Sequence, residues 1–278
     1  MTGTRFAALL VSMVLPLTAV ADELWKPGLE IGGGLMHTSM QEMVNGSAQI
    51  KEDGFLPESH GRFFLHQGQL EFGASLEDAV GTIDYQGFRQ SALNPGQQSP
   101  YSTQTDTAFL KAQLDAALSL GMWRLDAFSG YHVWRRSVVS SEGVGTSNED
   151  YRWRSYGLGA SCHIPFLHQG QALEPGIKLW RNYRVRQTAS SGGLDTAHLQ
   201  PGGRDGVQLS VALAWALPSK AEVRVRPFVQ FFRFAESAVV LSTENGQPIP
   251  LQGGYAASYQ PEIRYQQMGV DVDYRLNF

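Results

Sequence analysis

The last eleven residues of the chain, Met268 to Phe278, read MGVDVDYRLNF. Apolar side chains occupy almost every second position, and polar or charged side chains fill most of the positions between them. Two residues is the period of a β-strand, whose successive side chains point to opposite faces of the sheet. This stretch is therefore predicted to be a strand with one apolar face and one charged face.

The same alternation recurs upstream, in VQLSVALAWAL (207–217) and in TAFLKAQLDAALS (107–119). Repeated alternation over about ten residues is typical of transmembrane β-strands. After the N-terminal segment, no apolar run reaches the roughly 20 residues that a transmembrane helix needs. A membrane sheet must close on itself to satisfy its backbone groups in lipid. The sequence thus predicts an all-β protein, a closed antiparallel transmembrane β-barrel.

About ten strands are expected, and the sequence does not fix their number more closely than 8–12. They are placed near residues 24–40, 62–76, 79–90, 106–119, 122–137, 150–164, 173–188, 206–217, 221–236 and 262–278. Short turns, expected on the periplasmic side, are placed at residues 77–78, 120–121, 166–171 and 218–220. Long polar loops, expected on the extracellular side, are placed at residues 41–61, 91–105, 138–149, 189–205 and 237–261. Segments 238–242 and 255–259 are interpreted either as an extension of the last hairpin or as two further spans.

Residues 1–21 have the pattern of a cleaved signal peptide. Arg5 precedes an apolar run, and Ala19-Val20-Ala21 supplies a cleavage pattern of small residues. The mature barrel is predicted to span residues 22–278. The single cysteine, Cys162, cannot form an internal disulfide and is expected to be a packing residue. The formal net charge of −4 gives no support to nucleic-acid binding.

The C-terminal sequence Tyr274-Arg275-Leu276-Asn277-Phe278 resembles the terminal signal of bacterial outer-membrane proteins. This resemblance implies a place in the outer membrane, among its lipids and lipopolysaccharide. It also implies recognition by the barrel-assembly machinery and periplasmic chaperones, with Tyr274, Leu276 and Phe278 as the signal. The assembly machinery would add the last strand edge to edge.

Aromatic residues near the predicted strand ends suggest two girdles at the lipid interfaces. The periplasmic girdle is predicted to contain Trp25, Trp123 and Phe278. The extracellular girdle is predicted to contain Trp134, Tyr151, Trp153, Tyr183 and Phe231.

Charged residues at alternate positions are expected to face the barrel interior. The predicted lumen residues are Glu30, Glu71, Asp84, Lys111, Asp115, Arg124, Asp126, Lys178, Arg184, Arg224, Arg226, Asp271, Asp273 and Arg275. An eight-strand barrel is filled by its own side chains, whereas open channels come with about 16 strands. A network of ion pairs that largely fills the lumen is therefore expected.

Three functions are compatible with such a barrel. The favoured one is a surface protein whose long loops bind a ligand that the sequence does not identify, as rigid scaffolds with variable loops commonly do. A second is a narrow channel, in which Arg124, Lys178, Arg224 and Arg226 would line an anion path.

The third is a surface hydrolase. The chain resembles omptin proteases in strand number and size, but it has no Asp-x-His pairing at an outer strand end. The weak candidates for catalytic residues are Asp195 and His198, with Glu149, Asp150 and Asp205 nearby in the predicted loops. An enzyme is the less favoured interpretation.

No metal site or cofactor is predicted. His60 and His66, like His163 and His168, lack a recognisable ligand pattern. The triplet Gly32-Gly33-Gly34 lacks the spacing of a phosphate-binding loop and is interpreted as a place of close packing or strand bending.

Overall fold

Ten long antiparallel strands form the protein, and each is hydrogen-bonded to two neighbours. The computed structural model describes residues 25–90, 98–139, 147–165, 170–191, 193–218, 220–251 and 254–278. In chain order the strands are β1 (Lys26–Val44), β2 (Ser47–Gln67), β3 (Leu70–Gln90), β4 (Gln98–Leu120), β5 (Trp123–Val138), β6 (Ser147–Cys162), β7 (Gln171–Ser191), β8 (Gly203–Ala216), β9 (Ala221–Phe234) and β10 (Glu262–Asn277).

The sheet closes where β1 pairs with β10. This seam extends from Gly28 opposite Asn277 to Met43 opposite Glu262, and the amide of Phe278 continues it by donating to the carbonyl of Pro27. A closed sheet has no free edge, so every strand finds its backbone partners within the protein. The predicted fold class, a closed antiparallel barrel of about ten strands, is confirmed. Within the described ranges, no helix is long and apolar enough to cross a membrane.

The barrel has two different ends. The start of β1 and the end of β10 lie at one, the terminus end, as do the connections from β2 to β3, β4 to β5, β6 to β7 and β8 to β9. At the other, the loop end, the chain passes from β1 to β2, β3 to β4, β5 to β6, β7 to β8 and β9 to β10. Short turns belong to the periplasmic side of bacterial barrels, so the terminus end is expected to face the periplasm.

The first hairpin differs from the sequence prediction. Residues 41–61, predicted as a long loop, belong to β1 and β2, which meet in a tight turn at Asn45-Gly46. Both residues have positive φ, 50° and 80°, as a two-residue type I′ hairpin turn requires. The next turn lies at Gly68-Gln69, and the predicted turn at Glu77-Asp78 is wrong because these residues lie within β3.

The connection between β9 and β10 folds back on itself. Its residues Val240–Leu241 pair with Ala257–Ser258, so this segment extends the last hairpin and does not add two spans. At the other end of the chain, the predicted signal peptide, residues 1–21, lies outside the described residues.

The outer face of the barrel is apolar around its middle. Leu114, Leu158 and Leu179 are 66%, 67% and 55% exposed, as expected if they face hydrocarbon. In a soluble sheet the apolar face is covered by the rest of the protein. In this barrel the apolar face points outward and the polar face points inward. Trp123 and Phe278 lie exposed at the terminus end, where a periplasmic girdle was predicted, and Trp25 packs nearby against the outward Phe72.

Only part of the predicted extracellular girdle faces outward. Phe231 is 43% exposed, and Tyr183 packs against the exposed Tyr156. Trp134, Tyr151 and Trp153 were assigned wrongly, because they are buried inside the barrel. Even-numbered positions of β5 and odd-numbered positions of β6 point inward, and these three residues lie on those positions.

Replacing Leu114 with arginine tests the position of the membrane. Leu114 lies near the middle of the apolar outer face of β4, where a cation would be surrounded by hydrocarbon. Leu114→Arg is expected to lower the free energy of unfolding in lipid vesicles by about 2–4 kcal/mol, measured by urea titration. Gln104→Arg, near the loop end of the same outward row, is expected to cost only about 0–1 kcal/mol. Equal losses would contradict this placement.

Candidate functional site

The barrel interior is divided into three layers along its axis. At the terminus end lies a charged cavity of about 900 Å³, the vestibule. Above it lies a buried cluster, the aromatic plug, made of Met40, Trp134, Tyr151, Trp153, Val185, Phe234, Ile263 and Tyr265. Nearest the loop end lies the outer charge cluster, made of Glu42, Glu52, Arg136 and Glu149.

The vestibule is a water-accessible network of ion pairs. Glu71 accepts from three guanidinium groups, those of Arg62, Arg124 and Arg275, at 2.7, 2.7 and 2.6 Å. Arg62 also binds both carboxylate oxygens of Asp115. Paired charges of both signs reduce the cost of placing them inside a narrow barrel.

Phe64 organises these arginines. Its ring contacts both Arg62 and Arg275, whose guanidinium carbons are 5.2 and 4.1 Å from the ring centroid. Both distances fit cation–π contacts. Gly28 leaves the space for this ring, because a Cβ there would lie 2.1 Å from a ring carbon of Phe64. The terminus end is thus held by packing as well as by charge.

Most of the predicted lumen residues line the vestibule. Those on its wall are Glu30, Glu71, Lys111, Asp115, Arg124, Asp126, Lys178, Arg224, Arg226 and Arg275. Asp271 and Asp273 lie beside it, buried and paired with Arg226 at 2.8 and 3.6 Å.

Two of the predicted lumen residues do not face the lumen. Asp84 is exposed, because the odd-numbered residues of β3, such as Ile83 and Tyr85, are the ones that point inward. Arg184 is exposed because β7 carries an extra residue opposite β6, a β-bulge, and Arg184 itself has a φ of 52°. A bulge reverses the alternation beyond it, which a strict period of two does not anticipate.

Among the vestibule residues that were missed in the sequence are His60, Arg62 and Glu77. They lie in or beside segments that were predicted as the loop 41–61 and the turn 77–78. The Asn45-Gly46 pair, a strong hairpin signal, would have placed β2 and the inward face of His60 and Arg62. Within the described residues, the one set of three His, Cys, Asp or Glu side chains with the geometry of a metal site is Glu30, His60 and Asp273.

The aromatic plug fills the bore above the vestibule. Trp134 stacks on Phe109 and Tyr151, with ring centroids 5.5 and 4.4 Å apart, and meets the edge of Tyr265 at 5.1 Å. Its indole nitrogen donates to the Thr107 hydroxyl at 2.8 Å, so its polar atom is satisfied. The eight residues of the plug are at most 4% exposed. Water therefore has little contact with these described side chains.

The outer charge cluster covers the plug. Arg136, 2% exposed, donates to Glu42, Glu52 and Glu149 at 2.7, 2.6 and 3.2 Å. Neutral donors share the oxygens that Arg136 binds: the Tyr151 hydroxyl donates to Oε2 of Glu149 at 2.6 Å, and the Thr105 hydroxyl donates to Oε1 of Glu52 at 2.9 Å. Three carboxylates, of which Glu42 and Glu52 are buried and Glu149 is partly exposed, therefore depend on one guanidinium.

The weak catalytic candidates lie among the loops at the loop end. Asp195 and His198 line a groove of about 280 Å³ with Ser242 and Ser258. However, the Asp195 carboxylate accepts from the amide of Gly246 at 2.8 Å, which joins two loops. This hydrogen bond and one from Thr243 lower the pKa of Asp195, making it a poor general base near neutral pH.

The other hydrolase candidates are held by arginines. Glu149 belongs to the outer charge cluster. Asp150 lies 2.7 Å from Arg152, and Asp205 lies 2.9 Å from Arg181. None of these three carboxylates pairs with a histidine in the part of the chain that the structure describes. The described geometry supplies no acid–base pair at the mouth.

Solved structures with this fold are known. The crystal structure of the outer membrane protease OmpT from Escherichia coli matches with a TM-score of 0.60 and 13% identity, over 91% of this chain and 97% of that one. The chain has an outer-membrane β-barrel fold. The translocator domain of the autotransporter NalP from Neisseria meningitidis (TM-score 0.44, 12% identity, 96% of both chains) and Ail of Yersinia pestis (0.34, 9%, 90% and 99%) also match. No family model and no curated protein sequence matches.

Among these structures, only OmpT is similar enough to bear on the fold. At 13% identity the likeness concerns the path of the chain and not its chemistry. OmpT is an outer-membrane protein, and its fold agrees with the outer-membrane location that the sequence predicts for this chain. The interior described above is therefore the interior of an outer-membrane barrel.

Removing Arg136 tests the outer charge cluster of this barrel. Arg136→Met leaves the buried carboxylates of Glu42 and Glu52 without their counter-charge and is expected to destabilise the folded barrel by about 3–5 kcal/mol. Urea unfolding in vesicles measures the loss. The neighbouring Arg135, exposed and paired with Asp150 at 3.1 Å, provides the control, and Arg135→Met should cost less than about 1 kcal/mol.

Adding Glu42→Gln and Glu52→Gln to Arg136→Met should recover part of the lost stability, because fewer unpaired charges remain buried. Comparing the triple variant with its component variants measures the interaction between Arg136 and the two glutamates. If the combined variant is less stable than Arg136→Met alone, the carboxylates do not depend on Arg136 for their charge balance.

Proposed function

We propose that this outer-membrane barrel is a closed surface protein that acts through its outer wall and its loops, and does not conduct solutes. The observation that carries this proposal is the aromatic plug, in which Trp134, Tyr151, Phe234 and Ile263 are at most 1% exposed. Above it, the outer charge cluster fills the same bore. A charged vestibule that ends blindly beneath these two layers gives no path for ions.

The alternative function, a narrow channel, would require free cations along an open path through the barrel. Arg124, Lys178, Arg224 and Arg226 do line a common cavity, as an anion path would require. Arg124, Arg224 and Arg226 are paired with carboxylates, and the cavity leads to the plug rather than to the loop end. These arginines are therefore better explained as parts of the structural network.

Electrical recording tests the closed lumen. The wild-type barrel, inserted in planar lipid bilayers, is expected to show no steady current, because the plug and the outer charge cluster fill the bore. Protection of the β-strands from added protease would verify insertion in the same preparation. A steady current whose size changes in Arg224→Ala, a vestibule variant, would contradict the proposal and support the channel.

The outer wall suggests lipopolysaccharide as a ligand. Seven outward arginines lie on β5 to β8 toward the loop end: Arg135, Arg152, Arg154, Arg181, Arg184, Arg186 and Arg204. They lie closer to the loop end than the outward apolar residues of the same strands, such as Leu158 and Leu179. Tyr131, Tyr156 and Tyr183 lie among them. Tyrosine is enriched where a membrane protein meets the headgroup region.

Four of these arginines are available for an anion. Arg135, Arg152 and Arg181 pair with Asp150 or Asp205. Among the described residues, no carboxylate lies within ion-pair distance of Arg154, Arg184, Arg186 or Arg204. A guanidinium binds phosphate oxygens through paired hydrogen bonds. Lipopolysaccharide places phosphates at this depth, so we name this arginine strip as its binding surface.

A double substitution tests the arginine strip. Arg154→Gln with Arg186→Gln removes two unpaired cations and is expected to weaken lipopolysaccharide binding by about tenfold or more, since each charged hydrogen bond contributes roughly 1.5–3 kcal/mol. Binding of purified lipopolysaccharide to the detergent-solubilised barrel measures the effect. Lys51→Gln with Arg233→Gln removes the same charge outside the strip and should have a smaller effect. Equal losses in both variants would indicate only non-specific attraction.

A further inference from the structure

Three strands bring one histidine and two carboxylates together on the wall of the vestibule. Glu30 of β1, His60 of β2 and Asp273 of β10 offer ligand atoms that all lie within 4.8 Å of one another. The ring Nε2 of His60 is in direct contact with Oδ1 of Asp273. All three side chains are at least partly buried, with side-chain exposures of 10%, 11% and 1%.

Strand register makes this meeting possible. Gly32 of β1 lies opposite His60 on one side and opposite Asp273 on the other. A Cβ on Gly32 would lie 2.4 Å from His60 Nε2 and 2.5 Å from Asp273 Oδ1, so only glycine leaves room for the two side chains to converge. Glu30 precedes Gly32 by two residues and so lies on the same inward face.

The carboxylates of this group are poorly matched by their neighbours. Oδ2 of Asp273 is buried and has no hydrogen-bond partner within the described ranges. Its nearest cation is Arg226, at 3.6 Å. Glu30 has only distant cations, Arg224 at 3.8 Å and Arg275 at 4.0 Å. Buried oxygens in this condition are costly unless a cation or donor completes their surroundings.

We propose that Glu30, His60 and Asp273 bind a divalent transition-metal ion of the zinc type. One imidazole nitrogen and two carboxylate oxygens are ligands that zinc accepts, and three protein ligands leave a further position open. Glu30 and His60 line the vestibule, whose cavity of about 900 Å³ gives a hydrated ion access to the site. Arg226, which binds Asp271 at 2.8 Å, holds the neighbouring carboxylate and orients the site.

The bound ion would cross-link the closing seam of the barrel. β1 and β10 are the first and last strands, and β2 pairs with β1 on its other side. A metal that binds the folded barrel and not the unfolded chain stabilises the folded state. The site is independent of the proposed binding of lipopolysaccharide, which lies on the outer wall.

Zinc binding to the purified full-length barrel in detergent tests this proposal. After removal of metals with a chelator, the wild type is expected to bind one Zn²⁺ per chain in a calorimetric titration. Glu30→Gln and His60→Gln should each weaken the affinity by at least about tenfold, the scale of loss that even supporting residues of metal sites show. Zn²⁺ should also raise the temperature at which the wild type loses its folded gel mobility.

A matched control is His163, an exposed histidine that pairs with Glu174 at 2.8 Å near the same end of the barrel. His163→Gln should bind Zn²⁺ as the wild type does. Folded gel mobility before heating shows that each variant has assembled, and Glu30→Gln decides the matter if His60→Gln does not assemble. No stoichiometric binding by the wild type, or equal binding by Glu30→Gln, would overturn the proposal.

Discussion

The whole structure depends on the pairing of the first strand with the last. A backbone amide in hydrocarbon has no water to bind, so each must find a partner within the protein. The seam between β1 and β10 meets this requirement along its full length and removes the last free edge. Once the sheet is closed, alternation leaves only two environments for a side chain, the lipid and the lumen. The same closure brings Glu30 and Asp273, 243 positions apart in the chain, to neighbouring places.

A ten-strand barrel is narrow, and its interior shows how large inward side chains are accommodated. Inward glycines make the space: Gly28 lies beneath the Phe64 ring, and Gly32 lies beneath His60 and Asp273. Charged and aromatic side chains occupy different parts of the remaining volume. Charges that keep contact with water gather in the vestibule, whereas aromatic rings fill the part that water does not reach. Arg136 and its three carboxylates are the exception, since they are charged and buried together.

Much of the fold was predictable because a lipid-facing strand must alternate. The count of ten strands, the closed sheet and most of the lumen residues follow from that period. The prediction failed at residues 41–61, because a strand that projects toward water needs no apolar face. It failed for Trp134, Tyr151 and Trp153 because an aromatic ring suits both a lipid interface and a packed lumen, and only strand parity separates them.

The candidate site was less predictable than the fold, for a related reason. A period of two assigns each residue to a face of the sheet. It does not show which residues of adjacent strands lie side by side. His60 and Asp273 meet across Gly32 only because of the register of both neighbours of β1. Arg184 shows the same dependence, since one extra residue in β7 turns its side chain from the lumen to the outer wall.

The distribution of buried charge along the barrel axis supports the proposal that this protein acts through its outer wall and its loops. Charges on the open wall of the vestibule can be hydrated, whereas Asp273 beside it is buried, and a metal ion is proposed to bind there. In the outer charge cluster, the loss of one guanidinium would leave the buried Glu42 and Glu52 without a counter-charge. The bore is therefore fixed most strongly at the loop end. The proposed recognition surfaces, the arginine strip and the loops, can change without disturbing the plug.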